Sequence, residues 1–161
     1  HPQDSRLLYA VATLRAVQGR YEESIKHYRS LVKLEHRNVT TLNNLAVMLA
    51  EVPESRAESL QLVDKAIDIA GQQPGLLDTK GTILVYQGEF QRALFLLEAA
   101  AREAGTAARH RFHLAAAYHG GGEATKARQQ LLSAIDMNLE KQVLTPTDLR
   151  ILSDLKAALI P

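Results

Sequence analysis

Apolar and small residues recur at intervals of three or four along most of this 161-residue chain. Ser24, Tyr28 and Leu31 follow this spacing. Two later stretches repeat it with Ala93, Leu97, Ala100, Ala127, Leu131 and Ala134. Residues at that interval lie on one face of an α-helix, the face with which the helix packs on its neighbours. The pattern therefore predicts an all-α chain of amphipathic helices.

A fourth, looser stretch contains Ser59, Val63 and Ala66. A short turn precedes each of the four stretches, and another helical stretch lies upstream of each turn. Three of the turns begin at Gly19, Gly88 and Gly122. The remaining turn, residues 51–55, has no glycine, but Pro53 breaks the helix there because proline cannot continue a helix interior. Each unit is therefore a helix, a turn and a second helix. The units start near residues 5, 39, 74 and 108.

This period of 34 or 35 residues resembles that of the tetratricopeptide-repeat family, whose repeat is a helix-turn-helix unit. The resemblance covers about residues 2–141 and includes the positions at which the family has small residues, so that paired helices approach closely. In the first helices these are Ala12, Ala46, Gly81 and Ala115; in the second helices they are Ser24, Ser59, Ala93 and Ala127, then Leu31, Ala66, Ala100 and Ala134. Arg111 departs from the pattern, because the family has a bulky apolar residue there.

The resemblance implies a single domain, residues 1–161, folded as a right-handed α-solenoid of four repeats. The repeats fall at about residues 5–38, 39–73, 74–107 and 108–141. A further amphipathic helix is predicted at about residues 146–160, with Thr145 as its N-cap and Pro146 at its first position. We expect this helix to cover the apolar surface that the last repeat of a solenoid exposes.

The N-terminal end suggests a longer array. Pro2 stands where the resemblance places the proline that closes a preceding repeat. We therefore expect the chain to be the C-terminal part of a longer tetratricopeptide-repeat protein. The stretches 77–100 and 110–118 are similar to bacterial repeat proteins, including arrays associated with polysaccharide export and the cell envelope.

Composition and charge exclude several partner classes. The formal net charge of +1 creates no general attraction for nucleic acid or an anionic membrane. The rival pentatricopeptide repeat, which reads RNA, would need a basic groove. The chain has no cysteine for a disulfide, and no apolar run approaches the roughly 20 residues of a spanning helix. We predict no nucleic-acid binding and no membrane insertion by this segment, whereas a cytoplasmic or envelope-associated location stays open.

No motif indicates catalysis or a cofactor. Gly81 and Gly88 are not followed by the Lys-Ser/Thr pair of a phosphate loop. His110 and His113 are three positions apart and His119 follows, but no cysteine or HExxH motif completes a metal site. His113 is interpreted as a groove-facing residue and His110 as a solvated one. We predict a non-enzymatic chain without catalytic, cofactor-binding or metal-binding residues.

The remaining function is binding. The first helices of stacked repeats line a concave groove, and the resemblance assigns fourteen residues to it. They are Arg6, Tyr9, Thr13, Asn43, Asn44, Val47, Asp78, Thr79, Thr82, Tyr86, Arg109, Phe112, His113 and Ala116. Amide side chains can bond a peptide backbone, aromatic rings can pack on ligand side chains and an arginine can bind a carboxylate. The carboxylate clamp for chaperone C-termini is absent, because Tyr9, Thr13, Gly75 and Thr79 stand at its positions.

These observations predict a protein-interaction scaffold that binds a peptide or protein in its groove. The alternative is a regulatory or substrate-presenting arm of a larger enzyme or cell-envelope assembly. Self-association through the first repeat is a third hypothesis.

Overall fold

The computed structural model describes residues 4–103 and 107–160, and within them it contains nine α-helices and no strand. The predicted all-α tetratricopeptide-type fold is confirmed. The helices are α1 (Ser5–Val17), α2 (Tyr21–Leu34), α3 (Val39–Ala50), α4 (Arg56–Ala70), α5 (Pro74–Tyr86), α6 (Phe90–Glu103), α7 (Ala108–Gly120), α8 (Ala124–Asp136) and α9 (Pro146–Leu159). Pro2, which carried the expectation of a preceding repeat, lies outside the described residues.

The four first helices begin at the positions that the period predicts. These starts are Ser5, Val39, Pro74 and Ala108. Pro53–Ser55 forms a short 3-10 helix in the turn without glycine, so the helix breaks there as expected. Helix α9 starts at Pro146, and the side chain of Thr145 accepts a hydrogen bond from the Asp148 backbone amide at 3.1 Å. Local capping and proline chemistry therefore set these helix ends.

The chain divides into two compact units, which we call unit 1 (residues 1–72) and unit 2 (residues 73–161). In unit 1, α1 packs on α2 and α3 packs on α4, and α2 also packs on α3. In unit 2, the consecutive helices α5 to α8 pack on one another, and α9 packs on α7 and α8. The assignment of all four repeats to a single domain stays a prediction.

The small positions of the repeats lie where paired helices touch. Ala12, Ala46 and Ala115 have no exposed surface, and a Cβ atom added to Gly81 would lie 2.5 Å from Cγ of Leu97. Gly88 has φ +79°, a left-handed conformation that glycine adopts without strain, and it ends α5 before α6 begins. Both glycines therefore have structural functions.

Arg111 makes a polar contact at the position where the family has a bulky apolar residue. Its Nη1 donates to Oε1 of Gln130 on α8 at 2.9 Å, and the arginine is half-buried. The hydrogen bond joins α7 to α8, so the departure from the family pattern does not disrupt the pairing of these helices.

In unit 1, buried serines join paired helices. Ser24 donates from Oγ to the carbonyl of Ala12 at 2.8 Å, and Ser59 donates to the carbonyl of Ala46 at 2.6 Å. Both serines are completely buried. The equivalent residues in unit 2 are alanines, so the position itself accepts a methyl group.

We expect Ser59→Ala to lower the free energy of unfolding by about 1 kcal/mol, the usual net contribution of one hydrogen bond. Urea denaturation followed by circular dichroism measures this loss. Ser30→Ala is the matched control, because Ser30 bonds only to the carbonyl of Lys26 on its own helix and is exposed. Equal stability of the two variants would contradict a role for Ser59 in joining the helices.

Along residues 4–103 and 107–160, no helix combines the length and hydropathy that a membrane crossing requires.

Candidate peptide-binding faces

Two groups of polar side chains stand out, one in each unit. The group in unit 1 lies where α1 approaches α3. Nδ2 of Asn44 donates to the Tyr9 hydroxyl at 3.1 Å and to the Tyr28 hydroxyl at 3.3 Å. The Thr13 hydroxyl lies 3.0 Å from the Tyr28 hydroxyl. We call this the unit 1 face, and its hydrogen bonds fix the side chains of Tyr9, Thr13 and Asn44.

The unit 1 face remains open to solvent. Arg6, Tyr9 and Thr13 are exposed, and Asn43, Asn44 and Val47 are half-buried. Arg6 is three positions before Tyr9, so the two residues share a side of α1. The structure joins Tyr9, Thr13 and Asn44 by hydrogen bonds. All six predicted residues of unit 1 keep accessible surface.

Tyr28 belongs to this group although it was not predicted. The ring of Tyr28 is buried and meets that of Tyr9 edge-on, with 6.0 Å between the ring centroids. Burial raises the pKa of Tyr28 above its ordinary value, against the effect of the hydrogen bonds to Thr13 and Asn44, so the phenol stays protonated at neutral pH. The second helix thus supplies a hydroxyl to a face that the first helices were expected to form alone.

The group in unit 2 is a buried row of ionisable side chains. Nδ1 of His113 on α7 lies 3.0 Å from both carboxylate oxygens of Asp78 on α5. On the other side of the ring, Nε2 lies 3.4 Å from Oδ1 of Asp148 on α9. The latter distance suits an ion pair, but the alignment leaves Nε2 without a hydrogen bond. The three residues are at most 5% exposed.

The charges in this row stabilise one another. Burial alone would lower the pKa of His113, but the carboxylates of Asp78 and Asp148 outweigh burial and raise it to about 10. Burial alone would raise the pKa of Asp148, whereas the His113 charge, the Tyr86 hydroxyl and the Arg109 charge together lower it. At neutral pH His113 is therefore a cation between two aspartates.

Further polar groups of α5 and α7 surround Asp148. The Tyr86 hydroxyl donates to Oδ1 of Asp148 at 2.6 Å and lies 3.3 Å from the Thr145 hydroxyl. Arg109 donates from Nη2 to the carbonyl of Val143. We call the side of α5 and α7 that carries Asp78, Tyr86, Arg109 and His113 the unit 2 face. The start of α9 and the residues before it lie against this face.

Several predicted residues of unit 2 are therefore not accessible. Phe112 has no exposed surface, so its predicted role in packing ligand side chains is wrong, and the ring belongs to the core. Five further predicted residues are at most 9% exposed, namely Asp78, Thr79, Thr82, His113 and Ala116. Only Tyr86 and Arg109 are half-buried.

His110 also differs from its prediction. It was expected to be solvated, but its side chain is 14% exposed, and its Nε2 lies 3.8 Å from Oδ2 of Asp78. Packing between α5 and α7 removes it from solvent.

The sequence did hold a signal for the buried row. Asp78, His113 and Asp148 follow one another at intervals of 35, close to the repeat period. Equal positions in successive repeats lie side by side, so this interval predicts contact. The signal is easily missed, because Asp148 also fits the pattern of an ordinary first-turn acid of α9.

These ionisable groups do not form a metal site. In the part of the chain that the structure describes, no cluster of three or more histidine, aspartate or glutamate side chains is arranged to hold a metal ion.

The repeat geometry agrees with a family comparison. Residues 79–138 match the family model for the tetratricopeptide repeat. Residues 79–138 are thus repeats of the tetratricopeptide type. The match spans α6 to α8 and most of α5, so the unit 2 face is built on helices of recognised repeats.

Solved tetratricopeptide-repeat structures share this fold. TTC0263 from Thermus thermophilus matches with a TM-score of 0.76 and 21% identity, over 100% of this chain and 84% of that one. YrrB, described as having an unusual peptide-binding site, matches with a TM-score of 0.66 and 17% identity, over 96% of this chain and 75% of that one. At these identities the likeness concerns the fold.

A curated relative matches a shorter stretch of the chain. The mouse (Mus musculus) protein O-mannosyl-transferase TMTC1 is 34% identical over 55 residues, which is 34% of this chain and 6% of that protein. The chain thus corresponds to a small part of that relative.

Proposed function

We propose that this tetratricopeptide-repeat chain is a non-catalytic scaffold that binds an extended peptide segment of a partner protein on the unit 1 face. The observation that carries the proposal is the network of Tyr9, Thr13, Asn44 and Tyr28, which fixes polar side chains on a face that stays open. Side chains that are already ordered lose little entropy when a ligand binds. The likeness to YrrB supports peptide binding as a use of this fold.

The chemistry of the face suits an extended backbone. Both amide hydrogens of Asn44 bond to Tyr9 and Tyr28, so the group that Asn44 offers to a ligand is Oδ1, which can accept a hydrogen bond from a peptide N–H. Tyr9 is 36% exposed and offers an aromatic surface to an apolar ligand side chain. Arg6 is exposed one turn away and can pair with an acidic residue of the ligand. The proposed ligand is thus a peptide with an apolar residue followed or preceded by an acidic one.

A peptide library displayed on phage and selected on the full chain tests this proposal. We expect Asn44→Ala to weaken the selected peptides at least about tenfold, because a lost hydrogen bond to a ligand costs about 1.4 kcal/mol or more. Fluorescence polarisation with labelled peptides measures the affinity. Tyr9→Phe, which keeps the ring, should cause a smaller loss than Tyr9→Ala.

Ser30→Ala is the control variant, because Ser30 is exposed on α2 and bonds only within its own helix. Circular dichroism and thermal unfolding check that Asn44→Ala remains folded. Selected peptides that bind Asn44→Ala and Tyr9→Ala as tightly as the unchanged chain would contradict the unit 1 face as the binding site.

A second candidate function is a substrate-presenting arm of a larger enzyme. The 55-residue similarity to a mouse mannosyl-transferase favours it, since the matched stretch is 6% of that much longer protein. Sequencing the complete gene tests this function, because a catalytic domain in the same open reading frame is required.

A further inference from the structure

The first turn of α9 inserts a carboxylate into the unit 2 face. Asp148 is 3% exposed although it carries a negative charge, and it accepts a 2.6 Å hydrogen bond from Tyr86. The imidazolium of His113 lies 3.4 Å away. The unit 2 face is therefore a receptor for a carboxylate, formed by one hydroxyl and two cations that include Arg109.

The Asp148 carboxylate does not complete the hydrogen bonds of all the polar groups on the unit 2 face. Nε2 of His113 contacts Asp148 only at 3.4 Å, and Oγ1 of Thr82, a residue 9% exposed, has no hydrogen-bond partner. Buried polar atoms are normally paired, so this hydroxyl and the long contact between His113 and Asp148 point to a ligand that bonds both groups better. Thr82 lies one helical turn from both Asp78 and Tyr86 on α5, within this same face.

A buried ion pair is a poor source of stability. Bringing charges out of water costs about as much as their attraction returns, whereas the wrong partner is strongly penalised. The Asp148 contacts are thus better suited to selecting a partner than to holding a permanent cap. Helix α9 also has an apolar stripe, in which Leu152, Leu155 and Leu159 are buried at intervals of three and four residues.

The connection before α9 is not helical. Gln142 is extended, with φ −87° and ψ 153°, and residues 143–145 belong to no helix. Val143 is 66% exposed, and its carbonyl accepts a hydrogen bond from Arg109.

We propose that α9 is an internal ligand of unit 2, and that the surface it covers also binds partner helices of the same pattern. The pattern is an acidic residue in the first turn, followed by apolar residues four, seven and eleven positions later. A partner protein with such an amphipathic helix competes with α9 and inserts its own carboxylate between Tyr86 and His113. This site is separate from the unit 1 face.

A fluorescein-labelled peptide of residues 142–160 of this chain is the probe, and fluorescence polarisation measures its binding to the full chain. We expect weak binding to the unchanged protein, because the tethered α9 competes at high effective concentration. Asp148→Asn in the protein should tighten probe binding at least about tenfold. The substitution weakens the binding of α9, which competes with the probe, and leaves the surface that binds the probe unchanged. Asp154→Asn is the matched control, because Asp154 is an exposed carboxylate on the same helix.

A second probe in which the residue corresponding to Asp148 is asparagine tests the carboxylate itself. It should bind the Asp148→Asn protein about tenfold more weakly than the first probe, because it lacks the charge that the receptor binds. Leu155→Ala is a second way to loosen α9 and leaves the receptor charges unchanged, so it keeps the test decisive where Asp148→Asn fails to fold.

Equal probe binding by the unchanged protein, Asp148→Asn, Leu155→Ala and Asp154→Asn would overturn the proposal and leave α9 as a permanent cap. Equal affinity of the two probes would also overturn it. Asn44→Ala should not change the affinity of the probe, so failure here and failure of the proposed peptide site in unit 1 are distinguishable.

Discussion

Replacing His113 by leucine is expected to lower the free energy of unfolding by about 3–5 kcal/mol, the usual cost of removing one partner of a buried ion pair. Asp78 and Asp148 would then be buried on either side of an apolar side chain, without the cation that lies between them. Urea denaturation of unit 2 measures the loss. A fluorescence probe placed on an exposed residue of α8 reports on this unit separately.

The dependence of the free energy of unfolding on pH shows whether His113 stabilises the fold through its charge or only through its packing. The folded pKa of His113 is raised from 6.5 to about 10, so the folded state binds the proton more tightly than the unfolded state. The resulting stability is complete below pH 6.5 and is lost as the pH rises towards 10. In His113→Leu this alkaline loss should disappear.

A triple apolar variant is the matched control for this prediction. Replacing Asp78, His113 and Asp148 together by leucine removes all three charges, and such replacements of buried ion pairs are often neutral or stabilising. The triple variant should therefore be more stable than His113→Leu alone. A stability of His113→Leu equal to that of the unchanged chain would show that the three charges are not coupled.

Phe112→Ala is expected to destabilise unit 2 by about 3–5 kcal/mol, the range for removing a buried aromatic side chain. Phe112 is the largest side chain without exposed surface, and its ring centroid lies 5.2 Å from that of His113. Truncation leaves a cavity beside the charged row. Thermal unfolding followed by circular dichroism measures the effect.

Phe95→Ala is the control for Phe112, because Phe95 lies on α6 and is 75% exposed. Its replacement should change the free energy of unfolding by no more than about 0.5 kcal/mol. Were Phe112→Ala as stable as Phe95→Ala, the assignment of Phe112 to the core would be wrong.

Much of the fold was predictable because it depends on neighbours within a few positions. The starts of the four first helices follow from the period and from the turns, and Thr145 caps α9 as its position indicates. The close approach at Gly81 also follows, since the family pattern marks it as a small position and Leu97 lies against it. Capping, helix spacing and small-residue contacts are all local rules.

The candidate site was predicted less completely. Residues of α1 and α3 keep the accessible surface that their assignment requires, whereas Phe112 is buried and the row at Asp78 is covered. The sequence pattern of one helix assigns a residue to the groove. The exposure of that residue depends on every other helix or loop that packs over it. The additional hydroxyl of Tyr28 was missed for the same reason.

By itself, the sequence determined the repeat period, the all-α class, the starts of the four first helices and of α9, and the small positions at which helices meet. Only the tertiary structure decided which polar side chains remain open to a ligand. Tyr86 and Asp148 are 62 positions apart, yet their hydrogen bond helps to close the unit 2 face. Such a contact forms only when packing brings distant segments together, because burial and electrostatics depend on distance in space rather than along the chain.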